Sequence, residues 1–139
     1  MAGSGWWSAG PPDRHPPLRR GGRFDTGDAS PERPTGINYT GGDTLAAAAV
    51  TDAAVYGQGH QRWLDNPYRR NSEGPGAVDR RGIGAIDSVR DTALTWNPDK
   101  PARQGGQDLL ATRSGLWVPS DGERLNGECR RGIAFVALP

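Results

Sequence analysis

Ala48-Ala49-Val50-Thr51-Asp52-Ala53-Ala54-Val55-Tyr56 and, 61 residues later, Leu109-Leu110-Ala111-Thr112-Arg113-Ser114-Gly115-Leu116-Trp117 follow one pattern. Each is an apolar triplet, a threonine, a short polar turn, a small residue and then an aliphatic-aromatic pair. That pattern describes a strand, a tight turn and a second strand, which is a β-hairpin. A second match appears at a shift of 50. Arg80-Arg81-Gly82-Ile83 is repeated identically as Arg130-Arg131-Gly132-Ile133, and both copies run on into apolar residues. The order is therefore hairpin, long loop and Arg-Arg-Gly-Ile strand, and it occurs twice. The first loop, Gly57 to Asp79, is longer than the second, Val118 to Cys129. That insertion accounts for the two different shifts.

Outward from this pair, apolar or β-prone runs alternate with turn formers. The runs are Leu45–Val50, Ala53–Tyr56, Gly82–Ile86, Ala93–Trp96, Leu109–Ala111, Leu116–Val118 and Ile133–Leu138. Each has the length of a strand. Asn38-Tyr39-Thr40-Gly41-Gly42-Asp43, Asn66-Pro67 and Asn97-Pro98-Asp99 are turns. The alanines in Thr44–Ala54 favour helix by propensity. The β-branched Val50 and Thr51 and the glycine-rich flanks favour strand there instead.

Ala93–Trp96 adds a fourth strand to the first copy, and the second copy ends before an equivalent. A four-stranded unit in tandem points to the blade of a propeller, which buries its faces against neighbouring blades. The expected fold class is all-β, with antiparallel propeller-blade-like sheets. They amount to about one and a half blades, a blade over 43–99 and a partial blade over 106–139. The repeat region as a whole spans 37–139.

Residues 1–36 differ in composition. Six glycines and six prolines fall within the first 35 residues, with few large apolar residues beyond Trp6, Trp7, Leu18 and Phe24. Proline removes backbone donors, and glycine raises the entropy cost of ordering. The expectation is a disordered Gly/Pro-rich tail.

The whole chain has 139 residues, of which 34% are hydrophobic, with 21 glycines and 12 prolines. Such a composition leaves little apolar material for a large helical core. Seventeen basic and sixteen acidic residues give a net charge of +1. The arginine pairs are scattered, so no basic face is expected to draw nucleic acid. No window is apolar enough for a membrane-spanning helix, and the first 18 residues do not read as a signal peptide. Cys129 is the single cysteine, which excludes an intrachain disulfide.

Candidate chemistry is sparse. His60-Gln61-Arg62-Trp63 follows a strand, where binding residues are often presented. His60 is placed to act as a general base if Asp43 or Asp65 lies beside it. The competing reading has His60 and Arg62 bonding loop carbonyls while Trp63 packs on the sheet, and this one is favoured. Asp43, Asp52, Asp65, Asp79, Asp87 and Asp121 show no calcium-loop spacing, and one Cys with two His makes a poor zinc set. Gly41-Gly42 and Gly105-Gly106 lack the Lys-Ser/Thr of a phosphate loop. Trp63, Trp96 and Trp117 offer sugar-stacking surfaces but are expected to pack in the core or between blades. No cofactor, metal or catalytic residue is assigned. His60, Arg62 and Trp63 are the candidate binding residues.

Several segments together resemble a known family. They are Asn38–Thr44, Ala54–Tyr56, Gly59–Trp63, Gly74–Val78, Thr95–Pro98, Gly115–Val118, Ser120-Asp121 and Ile133–Phe135. They resemble the end of the repeat region in large secreted actinobacterial proteins of β-propeller type, most of them uncharacterised. The resemblance covers about residues 37–139. It implies an extracellular origin, a polysaccharide or protein partner and no assigned reaction. Gly57-Gln58 departs from an expected Val-Gly, Ala46–Ala49 from bulkier residues and Pro119 from a glycine. The chain thus reads as a truncated, partly degraded copy.

Three functions follow as expectations. The first is a non-catalytic β-repeat module with a binding or scaffold role. The second is a carbohydrate-active hydrolase or lyase using His60 with an Asp. The third is a vestigial fragment without autonomous function. Exposed sheet edges also imply self-association.

Overall fold

The computed structural model describes residues 4–7, 20–25, 27, 33–68, 71–100 and 106–138. Thirteen strands form in these residues, every strand pairing is antiparallel, and no helix is present among them. It follows that no helix of the described residues is long and apolar enough to cross a membrane. The all-β expectation holds. Thr44–Ala54 takes the strand alternative: β4 (Leu45–Val50) turns at Thr51–Ala53 into β5 (Ala54–Gly59). The Thr51 hydroxyl accepts from the Ala54 N–H at 3.2 Å, closing the turn that the threonine position suggested.

The middle sheet has the order β4-β5-β8, with β8 at Ile83–Asp87. Between β5 and β8 the chain makes a small hairpin of β6 (Trp63–Leu64) and β7 (Val78–Asp79). The outer sheet repeats this connectivity. β9 (Leu110–Thr112) and β10 (Gly115–Ser120) form the hairpin, and β13 (Gly132–Val136) pairs with β10 in the position β8 takes beside β5. Again a small hairpin intervenes, β11 (Arg124–Leu125) with β12 (Glu128–Cys129). Its turn is Asn126-Gly127, both at positive φ (52° and 75°), as a two-residue primed turn requires. Both small hairpins lie in segments expected to be loop, Gly57 to Asp79 and Val118 to Cys129.

The core lies between these two sheets. Side chains alternate along a strand, so directly paired residues share a face. Ala49, Tyr56 and Ala85 form one row across the middle sheet, and Ala47, Gln58 and Ile83 form the next. This face packs on Leu116, Val118 and Ala134 of the outer sheet, with Leu109 and Leu125 completing the cluster. Trp96 meets Tyr56 edge to face at 5.2 Å between ring centroids, and its indole N–H donates to the Ala137 carbonyl at 3.0 Å. The other face of the middle sheet carries Val55 and Ile86, covered by Leu64 from β6 and by Ala93. Every residue of β5 is buried as a result.

One element of the expected unit differs. Ala93–Trp96 is not a fourth strand. It makes one bridge, Ala93 to Ile86, and the Leu94 N–H reaches the Ala85 carbonyl. The Leu94 carbonyl is taken by the Arg80 guanidinium at 2.6 and 3.1 Å, and Trp96 turns down onto Tyr56. Both units are therefore three-stranded.

A third sheet, β1-β2-β3, joins Ser4–Trp7, Arg20–Asp25 and Gly36–Tyr39. Two of its strands come from the stretch expected to be a tail, and β2 pairs with β3 from Arg20↔Tyr39 to Arg23↔Gly36. The rest of the expected tail lies mostly outside the described residues. Arg23 ties this sheet to the 87–91 turn, donating to the Ser88 carbonyl at 2.9 Å and to the Asp91 carboxylate at 3.0 Å.

Candidate functional site

The loop after β5 carries the three residues singled out from sequence. The His60 backbone N–H donates to the Thr44 carbonyl at 2.9 Å, and its side chain is exposed. Arg62 clamps Asp43: its Nε lies 2.9 Å from Oδ2 and its backbone N–H 3.1 Å from the same oxygen. The Arg62 guanidinium carbon also sits 4.2 Å from the centroid of the Trp63 ring. Asp43 therefore serves Arg62. Asp65 is engaged elsewhere too, accepting from the Asn38 amide and from the Ala93 N–H at 2.9 Å. Neither carboxylate has a hydrogen bond to His60 among the described residues, so the geometry holds no His-Asp pair. The loop is built as a structural clasp, with one Trp63 face lying under an arginine.

A groove of mixed lining lies on the far side of the middle sheet, where β3 meets the 65–67 and 90–92 turns. Its volume is about 560 Å³, and Asn38, Tyr39, Asp65, Arg90 and Asp91 are among its lining residues. Asp65 and Asp91 both adopt left-handed backbone (φ 53° and 61°), where a non-glycine residue is uncommon. Asn38 bridges them, donating to the Asp65 carboxylate and to the Asp91 carbonyl. Burial pushes the Asp91 carboxyl up from the usual range, opposed by Arg23 and reinforced by the charge of Asp87. Asp87 goes the other way. The backbone N–H groups of Arg90 and Val89 hold its carboxylate below the usual range. No spacing in the sequence joins Asp91 to Asn38 or Asp65, so only the fold brings the three together.

Between the two main sheets lies a polar node that the sequence also concealed. Gln58 is fully buried within β5. Its amide donates to the Asp108 carbonyl at 3.0 Å and the Pro119 carbonyl at 2.9 Å, both on the outer unit. Its Oε1 accepts from the Lys100 ammonium at 2.8 Å. Lys100 is 1% exposed, and burial pushes its pKa down to about 8, with Asp121 acting in the opposite sense. Gln58, which stands where a glycine is expected, thus staples one sheet to the next.

The fourth feature is the outer face of the β9-β10-β13 sheet. Leu110, Trp117 and Phe135 stand side by side across it, and Pro119 stands beside Ile133. The Trp117 and Phe135 rings lie 4.9 Å apart. Leu110, Trp117, Ile133 and Phe135 are all exposed. Trp117, expected to pack in the core or between blades, is 40% exposed, and none of the other sheets of the described residues packs on it.

These features define an all-β protein of stacked antiparallel sheets with one open apolar face. Among the described residues, no three His, Cys, Asp or Glu residues gather as a metal site. No protein-family model, curated protein or solved structure matches the chain.

Proposed function

We propose that the chain is a non-catalytic β-repeat module of propeller type, with a binding or scaffold role, derived from an extracellular protein. One observation carries this reading: the β4-β5-β8 and β9-β10-β13 sheets share their connectivity, each with a two-stranded hairpin inserted before its last strand. Equivalent positions also carry equivalent residues. Leu64 and Leu125, 61 apart, are both buried and each comes from the inserted hairpin of its own unit, Leu64 onto Val55 and Ile86 and Leu125 into the cluster with Leu116 and Val118. Gly82 and Gly132, 50 apart, both take positive φ (70° and 83°) where the return strand begins. The two sheets pack in series, the Tyr56 face of one on the Leu116 face of the next, as blades do. The resemblance of residues 37–139 to secreted actinobacterial repeat proteins supports the extracellular origin and a polysaccharide or protein as the partner.

The test is a melt of the full chain followed by circular dichroism, together with an assay for reducing ends released from polysaccharides. A β-sheet spectrum, a single cooperative transition and no release are expected. A broad, non-cooperative signal, or release that is lost in His60→Ala, overturns the reading.

A further inference from the structure

We propose that the open face of the β9-β10-β13 sheet is a docking surface for a second copy of this chain, which meets it with the same face. The inference rests on reading the two sheets as like units, and it names the partner.

The face is a patch rather than scattered exposure. Seven large apolar residues are exposed among the described residues, and four of them, Leu110, Trp117, Ile133 and Phe135, lie on this one surface. Such clustering marks an interaction site, whereas single exposed apolar residues do not. The face is also preformed. A Cβ on Gly115 would strike the Phe135 ring and the Val136 carbonyl, so glycine there lets the ring lie flat against the strand. Phe135 in turn packs against Trp117. Rigid aromatic anchors of this kind dominate binding energy at interfaces.

The chain itself shows what covers such a face. At the same shifts, Leu110 corresponds to Ala49, Trp117 to Tyr56, Ile133 to Ile83 and Phe135 to Ala85. Those four are buried, because a sheet of the same connectivity lies on them. The open face therefore continues an interface already present one layer inward. Its natural cover is another sheet of this kind, and a second copy supplies one. The matching inner face, with Leu116 and Val118, is fully buried inside each copy, so the contact uses the open face on both sides. That arrangement is isologous and closes as a dimer. Charge permits the approach. None of the paired positions on the face is ionisable, and of the arginines next to its strands Arg130 and Arg131 pair with Glu128 and Glu123, while Arg113 sits at the β9-β10 turn.

The experiment is sedimentation of the full chain across a concentration series, compared with Trp117→Arg and with Leu110→Lys. The expected result is a concentration-dependent shift to twice the 14.8 kDa chain mass in the parent. Each variant should shift that midpoint at least tenfold toward higher concentration while keeping a cooperative melt. Leu110 is the most exposed residue of the patch, so its variant decides the matter should Trp117→Arg fail to fold. A parent that is a cooperative monomer throughout overturns this inference and leaves the proposed function standing. A dimer that persists unchanged in the folded variants also overturns it, and places self-association at the strand edges. A non-cooperative parent removes both readings.

Discussion

Arg80-Arg81-Gly82-Ile83 and Arg130-Arg131-Gly132-Ile133 are one tetrapeptide in two settings. The backbone is alike in both: each glycine has positive φ, and each isoleucine stands at the head of a return strand. The side chains are not. Ile83 is 0% exposed and Ile133 is 53% exposed. Arg80 caps the Leu94 carbonyl, while Arg130 makes only an exposed ion pair with Glu128. Local sequence therefore sets the turn and the strand. Whether the strand's outward residues count as core is decided by what lies on the sheet. Among the described residues, the middle sheet has a neighbouring sheet on its Tyr56 face and the outer sheet has none on its Trp117 face.

The sharpest way to break this comparison is to shorten the two isoleucines. Ile83→Ala removes buried methylenes from a closed core and should cost about 2–5 kcal/mol. Ile133→Ala, in dilute solution, should change stability by no more than about 0.5 kcal/mol, as surface substitutions do. Urea melts of the two variants measure both. Equal losses would mean that the outer face is covered in the free chain.

The second contrast is polar. Gln58 and Lys100 staple the middle sheet to the outer one, while Pro119, which stands at the Gln58 position of the outer sheet, offers no side chain to a further neighbour. The staple carries a pH signature. Folded Lys100 has its pKa lowered to about 8, against an unfolded value of about 10.4. Between these limits the unfolded chain holds more protons than the native one, so stability rises with pH. Below pH 8 both states hold the proton and the cost of burying the ammonium is fully present. From pH 8 to pH 10 the gain should be about 2 kcal/mol. Burial raises the pKa of Tyr56, so above pH 10 the unfolded tyrosine ionises first and stability falls again. Lys100→Met should flatten the rise between pH 8 and 10. A parent whose melting temperature is level across that window would show that the ammonium is solvated.

The sequence showed the strands well where apolar runs were bounded by turn formers. Leu45–Val50 matches its expected run, and the other runs that became strands are displaced by one to three residues at their ends. Ala93–Trp96 looked the same on periodicity, but Arg80 and Tyr56 draw it off the sheet. The two inserted hairpins escaped notice because two-residue strands carry almost no periodicity. Asn126-Gly127 was the available signal, since that dipeptide favours a primed turn. Strands β1 and β2 had no such signal, as β2 gains order from pairing with β3, and β1 from pairing with β2, rather than from their own propensity. At the candidate site, the Arg62 clasp on Asp43 needed the fold to appear, since 19 residues separate the partners. The Lys100–Gln58 contact, 42 residues apart, is beyond any local pattern.

The smallest expected effect tests the shared half of the comparison. Gly132 has φ 83°, and a Cβ built there meets nothing within 4 Å. Gly132→Ala therefore isolates the backbone cost of a left-handed residue, about 1 kcal/mol. Gly132→Asn should recover part of it, because asparagine tolerates that conformation. Gly82 has nearly the same φ, yet its Cβ would lie 3.0 Å from the Lys100 side chain. Gly82→Ala should then lose more than Gly132→Ala, and Gly82→Asn should recover nothing. Matching losses at the two glycines would mean that the Lys100 stem yields freely, and that the layer above the middle sheet is less tightly packed than its burial implies.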